Sequence, residues 1–256
     1  MLGLASSSLA QGPNFGLLVV SPDVTTSAVA GSGVITTFDE QLLEVDWFTR
    51  AINPRPVPAP RSVAIDGYDG RELFSTDTIT RLPQAGGGEV TVFPSDLFSL
   101  STAGATVVHR VSDFLPEGVN VDAVSFDPVR NIPVVSFDRT VRLRSPFPAK
   151  RFAAGEYKGA IPRITVSRND LVGFDGELFL PFFDAEAAGV PASVNLNAAH
   201  VISSSFILMS FDTAVALDGR VFPDHQVVSA DGAGGFTPVL DLAEVDDSWQ
   251  SADVEA

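Results

Sequence analysis

The stretch Ile132-Pro133-Val134-Val135-Ser136-Phe137-Asp138 is an apolar run that ends in Ser-x-Asp, and the chain contains four versions of it. The other three versions occupy residues 18–23, 73–77 and 208–212. Each has the length of one β-strand together with its exit turn. Because an internal repeat indicates several units of one architecture, these versions decide the fold before any local pattern does.

Each version is the second of four short segments that recur in one order. In the third unit the segments are residues 121–127, 132–138, 170–176 and 178–184. The corresponding segments elsewhere are residues 3–8, 17–23, 39–46 and 48–52 in unit one, 62–66, 72–77, 96–101 and 106–114 in unit two, and 198–203, 206–212, 224–231 and 236–242 in unit four. No long stretch has the 3.6-residue period of a helix. The Asp-Gly sequences at residues 218–219 and 231–235 are predicted to be hairpin turns.

Four short strands per unit are typical of one blade of a β-propeller. The sequence therefore predicts an all-β protein, a four-bladed β-propeller with four repeats of four short antiparallel strands. Its single domain covers residues 1–256, with blades at about residues 1–55, 56–117, 118–192 and 193–256. A β-sandwich or a solenoid is the alternative, and a repeated four-part order favours radial closure over both.

The order of strands and turns also resembles that of NHL- and YVTN-type propeller repeats. In those repeats an Asp/Pro/Gly turn joins two apolar strands and a third strand ends near Asp-Gly, as Asp175-Gly176 does here. The resemblance covers nearly the whole chain and implies a propeller fold. The diagnostic glycines and the Asn/Arg pair of NHL repeats are absent, so the resemblance implies no site residues.

Charge and composition narrow the classes of partner. The formal net charge is −16, which repels nucleic acid and anionic lipid over most of the surface, and cysteine is absent. No run approaches the roughly 18 apolar residues of a membrane helix, so we expect a soluble protein without nucleic-acid or membrane partners.

Residues 1–10 lack the basic start of a signal peptide and are interpreted as the first strand of blade one. The sequence does not identify the cellular compartment. If the chain is a trimmed mature protein, we expect an extracellular or periplasmic location.

The ends of the chain suggest that the ring closes. Residues 251–256 resemble residues 119–123, which lead into blade three, so the chain ends where a further blade begins. Closure removes exposed sheet edges, which otherwise invite aggregation. We therefore expect a closed, monomeric ring, and a fragment of a longer repeat array is the alternative.

One segment departs from the acidic background. Between Val141 and Asp170 lie seven basic residues with Glu156 as the one acid among them. Arginine and tyrosine together suit a carboxylate, sulfate or phosphate group. We predict that the ligand-binding residues are Arg142, Arg144, Lys150, Arg151, Tyr157 and Lys158. The alternative is that these charges only balance the acidic surface.

The aspartates form a second recurrent set. Asp23, Asp77, Asp138 and Asp212 end the second strands, and Asp39, Asp96, Asp170 and Asp224 open the third strands. Such carboxylates could bind Ca²⁺, but at strand ends they more often accept a backbone N–H bond that fixes a turn. We therefore predict a structural role and no metal or other cofactor.

Signals for catalysis are weak. The histidines His109, His200 and His225 fall in different strands, and no nucleophile elbow or phosphate-binding glycine loop is present. No catalytic residue is assigned. The sequence favours a non-catalytic binding or scaffold module whose partner is an unknown protein, an acidic small molecule or a polysaccharide. The alternatives are a metal-dependent hydrolase of lactonase type, with Asp66 and Asp127 near the axis, and a structural repeat module of a larger surface protein.

Overall fold

The structure is a computed structural model that describes part of the chain. Backbone is described for residues 17–22, 26–30, 33–37, 43–46, 52–54, 68–69, 73–146, 162–232, 234–244, 247–251 and 254–255, and side chains for residues 73–146, 162–232, 234–244, 247, 249–250 and 254. These residues form β-strands and three short 3-10 helices (Val111–Phe114, Leu242–Glu244 and Asp247–Ser251), and none of the helices could cross a membrane. The prediction of an all-β fold is confirmed.

The first two sheets are built in the same way. In sheet 1, the neighbouring strands are β1 (Leu17–Pro22), β4 (Leu43–Asp46) and β5 (Ile52–Pro54), in that order. Between β1 and β4 in the chain, β2 (Thr26–Ala30) and β3 (Gly33–Thr37) form a two-stranded hairpin of their own, hairpin 1. Sheet 2 has the order β6 (Tyr68–Asp69), β7 (Leu73–Phe74), β10 (Leu97–Ser101) and β11 (Gly104–His109). Its hairpin 2 consists of β8 (Thr80–Pro83) and β9 (Glu89–Val92).

The third and fourth sheets repeat this plan. Sheet 3 has the order β12 (Val124–Asp127), β13 (Ile132–Val135), β16 (Leu171–Phe174) and β17 (Phe179–Phe183), with hairpin 3 formed by β14 (Val141–Arg144) and β15 (Arg163–Val166). Sheet 4 has the order β18 (Leu196–Ser203), β19 (Phe206–Phe211), β22 (Gln226–Ala230) and β23 (Phe236–Asp241), with hairpin 4 formed by β20 (Val215–Leu217) and β21 (Arg220–Phe222). Every hairpin is inserted between the second and third strands of its sheet.

The last strand returns to the first sheet. β24 (Val254–Glu255) pairs with β1, with Val254 opposite Pro22, and gives sheet 1 the order β24-β1-β4-β5. The C-terminal strand thus takes the position that β6, β12 and β18 hold in the other sheets. Each of the four sheets is therefore an open antiparallel sheet of four strands.

In the three Ser-x-Asp motifs whose side chains are described, the serine links its sheet to the next. The Ser75 hydroxyl donates to the Val121 carbonyl (2.9 Å), Ser136 to Leu196 (3.3 Å) and Ser210 to Val254 (2.6 Å). These serines are fully buried, so their hydroxyl groups need partners within the protein. The carbonyls they bind lie at the start of the first strand of the following sheet or, for Val121, three residues before it. The contacts run from sheet 2 to sheet 3, from sheet 3 to sheet 4 and from sheet 4 to sheet 1.

The aspartate of the same motif acts within its own sheet. Asp138 accepts a bond from the Asn120 backbone N–H (2.9 Å), and Asp212 accepts one from the Asn195 N–H (2.8 Å). A bond from a backbone N–H is present at both carboxylates, as predicted, but it does not fix a turn, so that part of the prediction is wrong. Its partner lies at the entry of the first strand and not in the exit turn, so each motif ties two strand ends together.

The hydrophobic core lies between consecutive sheets. One cluster joins Leu73 and Leu97 of sheet 2 to Val124 and Val135 of sheet 3. A second cluster joins sheet 3 to sheet 4 and includes Ala123, Val134, Leu171, Leu196, Met209 and Val228. Face-to-face packing of this kind lets both faces of a sheet be apolar, which explains the fully buried pattern of β16.

Several strand predictions need correction. The connection between the second and third strands of each unit contains a hairpin, and the sequence analysis identified only the turn of hairpin 4, at Asp218-Gly219. In unit two the predicted last strand at residues 106–114 ends at His109 and continues as the 3-10 helix Val111–Phe114. The predicted strands at residues 3–8 and 62–66, and most of the one at residues 48–52, lie outside the described residues.

Candidate functional site

Hairpin 3 presents a basic face on a well-packed base. Along β14 and β15 buried and exposed residues alternate, as the two-residue period of a strand requires. Val141, Leu143, Ile164 and Val166 are at most 4% exposed and belong to the core of sheet 3. The opposite face is exposed and carries Arg142, Arg144, Arg163 and Thr165. We call these four residues the arginine face.

The strand register brings two of the arginines together. Arg144 lies directly opposite Arg163, and Arg142 lies opposite Thr165. The next pair along the hairpin is hydrogen-bonded, because the Ser145 N–H donates to the Pro162 carbonyl (2.9 Å). Since hydrogen-bonded and non-hydrogen-bonded pairs alternate, Arg144 and Arg163 form a non-hydrogen-bonded pair, the type in which side chains are closer. Like charges in this position repel each other.

Little acidic charge compensates the arginine face. Nη2 of Arg144 is 3.9 Å from Oε1 of Glu177, and both side chains are largely exposed. Arg142 and Arg163 form no ion pair with any residue among those that the structure describes. An exposed ion pair of this length contributes little free energy. Among the described residues, the arginine face is therefore exposed and nearly free of acidic partners.

The structure tests part of the predicted site. Arg142 and Arg144 do lie on one exposed face, on a strand and not in a loop as the sequence suggested. Lys150, Arg151, Tyr157 and Lys158 lie outside the described residues. Arg163 belonged to the basic segment but was not among the predicted ligand-binding residues, although the structure places it opposite Arg144. The alternation of Arg163-Ile164-Thr165-Val166 was the signal that could have identified it.

The other hairpins do not share this face. In hairpin 2 Arg81 is opposite Thr91, and in hairpin 4 Arg220 is opposite Leu217. Hairpin 1, with strands Thr-Ser-Ala-Val-Ala and Gly-Val-Ile-Thr-Thr, carries no charged residue. Hairpin 3 is the one whose register puts two arginines opposite each other.

A second polar cluster lies where sheets 3 and 4 meet. Asp122 is 7% exposed, and its Oδ2 accepts a hydrogen bond from Nδ2 of Asn195 (2.6 Å). Burial, followed by the negative charges of Asp138 and Asp212, raises the pKa of Asp122 to about 6, although the bond from Asn195 and the charge of Arg139 oppose this. The carboxyl group of Asp122 therefore titrates near neutral pH.

Two of the aspartates that open the third strands, Asp96 and the half-buried Asp170, hold neighbouring segments together. Asp96 pairs with Arg110 (2.6 Å) and also accepts bonds from the Ser112 hydroxyl and the Phe93 N–H. Asp170 accepts bonds from the N–H groups of Ser167 (2.8 Å) and Ala185 (2.9 Å). Burial raises the pKa of Asp170 despite these bonds. Both carboxylates are fixed by protein donors, which indicates a structural role.

The histidines do not come together. Burial lowers the pKa of His109, whose ring packs edge-on against Phe174. His225 lies between Asp224 (3.2 Å) and Asp241 (3.5 Å), and His200 lies on β18. In the described ranges no group of three or more His, Asp or Glu side chains is arranged to hold a metal ion. Asp127 accepts bonds from the N–H groups of Val129 and Arg130, as in a turn, and Asp66 lies outside these ranges.

Comparison with known proteins gives no further assignment. No protein-family model matches the chain. No curated protein matches it either.

Proposed function

We propose that the four sheets are the blades of a four-bladed β-propeller that acts as a non-catalytic binding module. The shared strand order, the return of β24 to sheet 1 and the serine contacts between consecutive sheets support this arrangement. The blades then fall near residues 1–55, 56–117, 118–192 and 193–256, with β24 completing the first. Antiparallel sheets arranged radially in this way leave their inserted hairpins free to differ.

The proposed ligand is an anion, and its binding surface is the arginine face of hairpin 3. The observation that carries this proposal is the presence of three exposed arginines on one strand-built face, two of them directly opposite each other, in a chain of net charge −16. Like charges in a cross-strand pair destabilise a hairpin, so their presence needs a reason other than stability. A bound anion supplies that reason.

The surrounding charge restricts the ligand further. The acidic surface repels large polyanions, while the arginine face attracts an anionic group that can reach it. An acidic small molecule or the end of an acidic polysaccharide satisfies both conditions, and duplex nucleic acid does not. Because exposed charges are screened over about 8 Å at physiological ionic strength, binding is expected to weaken as salt is added.

The test compares two triple variants that each remove three positive charges. Arg142, Arg144 and Arg163 are replaced by serine in one variant, and Arg81, Arg130 and Arg220, which are exposed elsewhere, in the control. Binding to short chains of dextran sulfate, polyphosphate and polygalacturonate, which can reach the arginine face without crossing the acidic surface, is measured by calorimetry at low salt and at about 150 mM salt. We expect the first variant to lose binding and the control to keep it. Equal binding by both variants would falsify the proposal.

A further inference from the structure

The positions of the three arginines restrict the shape of the anionic group. In a non-hydrogen-bonded antiparallel pair, such as Arg144 and Arg163, the Cα atoms are about 4.5 Å apart. Arg142 lies two residues along β14 from Arg144, a distance of about 6.8 Å in a strand. Two guanidinium groups can therefore converge on one point from opposite strands, and the third lies to one side.

We propose that Arg144 and Arg163 clamp one tetrahedral oxyanion, the phosphate or sulfate group of a monoester. This inference rests on the proposed function and names the chemical group that the site takes. Arg142 and the Thr165 hydroxyl are close enough along the face to contact the rest of the ligand.

The geometry of the guanidinium group favours this choice over a carboxylate. An arginine presents a planar fork of N–H donors that binds two oxygens at once. A carboxylate has two coplanar oxygens, and one fork engages both of them. A monoester of phosphate or sulfate has three terminal oxygens that point in different directions, so it can engage two forks that approach from different sides. The cross-strand pair provides two such forks.

Glu177 adds a competing carboxylate to the site. Its Oε1 is 3.9 Å from Nη2 of Arg144, and the side chains of Arg144 and Glu177 are 45% and 68% exposed. The contact is long and solvated, so an incoming anion can displace it at little cost. Glu177 thus weakens the binding of any anion and favours those that engage Arg163 as well as Arg144.

The direct test uses small probes and matched variants. Phenyl phosphate, phenyl sulfate and benzoate are titrated at low ionic strength while the arginine Nε–H signals are followed by NMR. We expect both monoesters to bind the wild-type protein more tightly than benzoate does. Because hydrogen bonds to charged groups are worth about 1.5–3 kcal/mol, Arg144→Ser with Arg163→Ser should weaken monoester binding at least about tenfold. The control, Arg81→Ser with Arg220→Ser, makes the same charge change and should leave binding unaltered.

Glu177→Gln provides a gain-of-affinity test. Removing one exposed ion pair is expected to tighten monoester binding about two- to fivefold. Glu89→Gln, an exposed glutamate of hairpin 2, is the control and should have no effect. The single variants Arg144→Ser and Arg163→Ser are measured as well, so the prediction stays testable if the double variant does not fold.

Two comparisons separate the outcomes. A phosphate monoester loses a charge below about pH 6 whereas a sulfate ester does not, so weaker binding at pH 5 than at pH 7.5 should be confined to the phosphate probe. The probe that binds more tightly at pH 7.5 shows whether the site prefers a phosphate or a sulfate monoester.

If polygalacturonate binds in an arginine-dependent way and the monoesters bind no better than benzoate, the tetrahedral-oxyanion inference is wrong while the proposed function stands. If nothing binds in an arginine-dependent way, both are wrong.

Discussion

Hairpins 2 and 3 occupy the same place in consecutive sheets, yet they differ in what they expose. Their buried faces are alike, because Leu82 and Val92 in hairpin 2 and Leu143 and Ile164 in hairpin 3 are at most 2% exposed. Their exposed faces are different, since Arg81 is opposite Thr91 in hairpin 2 while hairpin 3 carries the arginine face. The core determines one face of each hairpin, and the other face is free to diverge toward a function.

The carboxylates at the base of the two hairpins extend the comparison. Asp96 in sheet 2 is paired with Arg110, which also donates to the Thr91 carbonyl of hairpin 2 (2.9 Å). Asp170 in sheet 3 is held by backbone N–H groups instead, and Asp184 and Glu186 add to the rise in its pKa after burial. An arginine near hairpin 2 thus neutralises a buried charge inside the protein. The arginines of hairpin 3 have no such internal role and point outward.

The substitutions with the largest expected effect test whether the buried faces of hairpins 2 and 3 are equivalent. Leu143→Ala and Leu82→Ala each remove a side chain that is at most 2% exposed. Because large-to-small substitutions in a core leave a cavity, we expect each to lower the free energy of unfolding by about 3 kcal/mol. Urea denaturation of the two variants measures this directly. Val108→Ala, at a site that is 48% exposed, is the control and should change little. A large loss in one hairpin and none in the other would show that their bases are not equivalent.

Much of this scaffold could be predicted from sequence. Most strands of the four sheets follow apolar runs bounded by turn residues, with β5 (Ile-Asn-Pro) and β6 (Tyr-Asp) as exceptions. Both Asp-Gly sequences are hairpin turns, with Asp218 at φ 51° and Gly219 at φ 74°. Apart from this turn of hairpin 4, the inserted hairpins could not be recognised in the same way. Each described hairpin strand buries only one or two side chains, so its two-residue period is too short to stand out.

Contacts between distant residues set the limit of the sequence analysis. The serine of Ser-x-Asp was seen as part of a repeat, but its hydrogen-bond partner lies in the next sheet, 44 to 60 residues away. The position of Arg163 opposite Arg144 depends on the register of hairpin 3, which the long connection between its strands does not reveal. Composition could locate the basic segment, but only pairing could show which arginines face each other.

The second largest effect is expected from a substitution of Asp122, at the junction of sheets 3 and 4. In the sequence of the following unit, Asn197 occupies the corresponding position. The pKa of Asp122 rises from an ordinary 3.8 to about 6 in the folded protein. The native state therefore holds this proton more tightly than the unfolded chain, and the free energy of unfolding falls as pH rises from about 4 to about 6. Asp122→Asn removes that dependence, so at pH 7.5 we expect the variant to be more stable by about 2–3 kcal/mol.

The measurement for Asp122 is thermal unfolding at pH 4 and pH 7.5. The variant and the wild-type protein should agree at pH 4, where the carboxyl group is protonated, and separate at pH 7.5. Glu117→Gln, at an exposed glutamate on the connection into sheet 3, serves as the control. A difference of the same size at both pH values would mean that the hydrogen bond with Asn195 matters and the buried charge does not.

Transferring the arginine pair to hairpin 2 tests the difference between the exposed faces. It is expected to have the smallest effect on stability. The Gln84 N–H donates to the Gly88 carbonyl (3.0 Å), so by alternation Arg81 and Thr91 also form a non-hydrogen-bonded pair. Thr91→Arg therefore places two arginines opposite each other in the same type of pair as in hairpin 3. Like charges directly opposite each other should destabilise the hairpin by about 0.2–1 kcal/mol at low salt.

The same variant should gain a second, salt-sensitive site for phenyl phosphate, seen by NMR as shifts of the hairpin 2 arginines. The control combines Thr91→Arg with Arg81→Ser, which restores the original net charge but leaves one arginine without a cationic partner. We expect the control to lose the new site, because a single exposed arginine offers one fork instead of two. If both variants bind the probe equally, isolated charge and not cross-strand pairing attracts the anion. If neither binds, features of hairpin 3 besides its arginine pair, such as Arg142 and Thr165, are needed to hold the ligand.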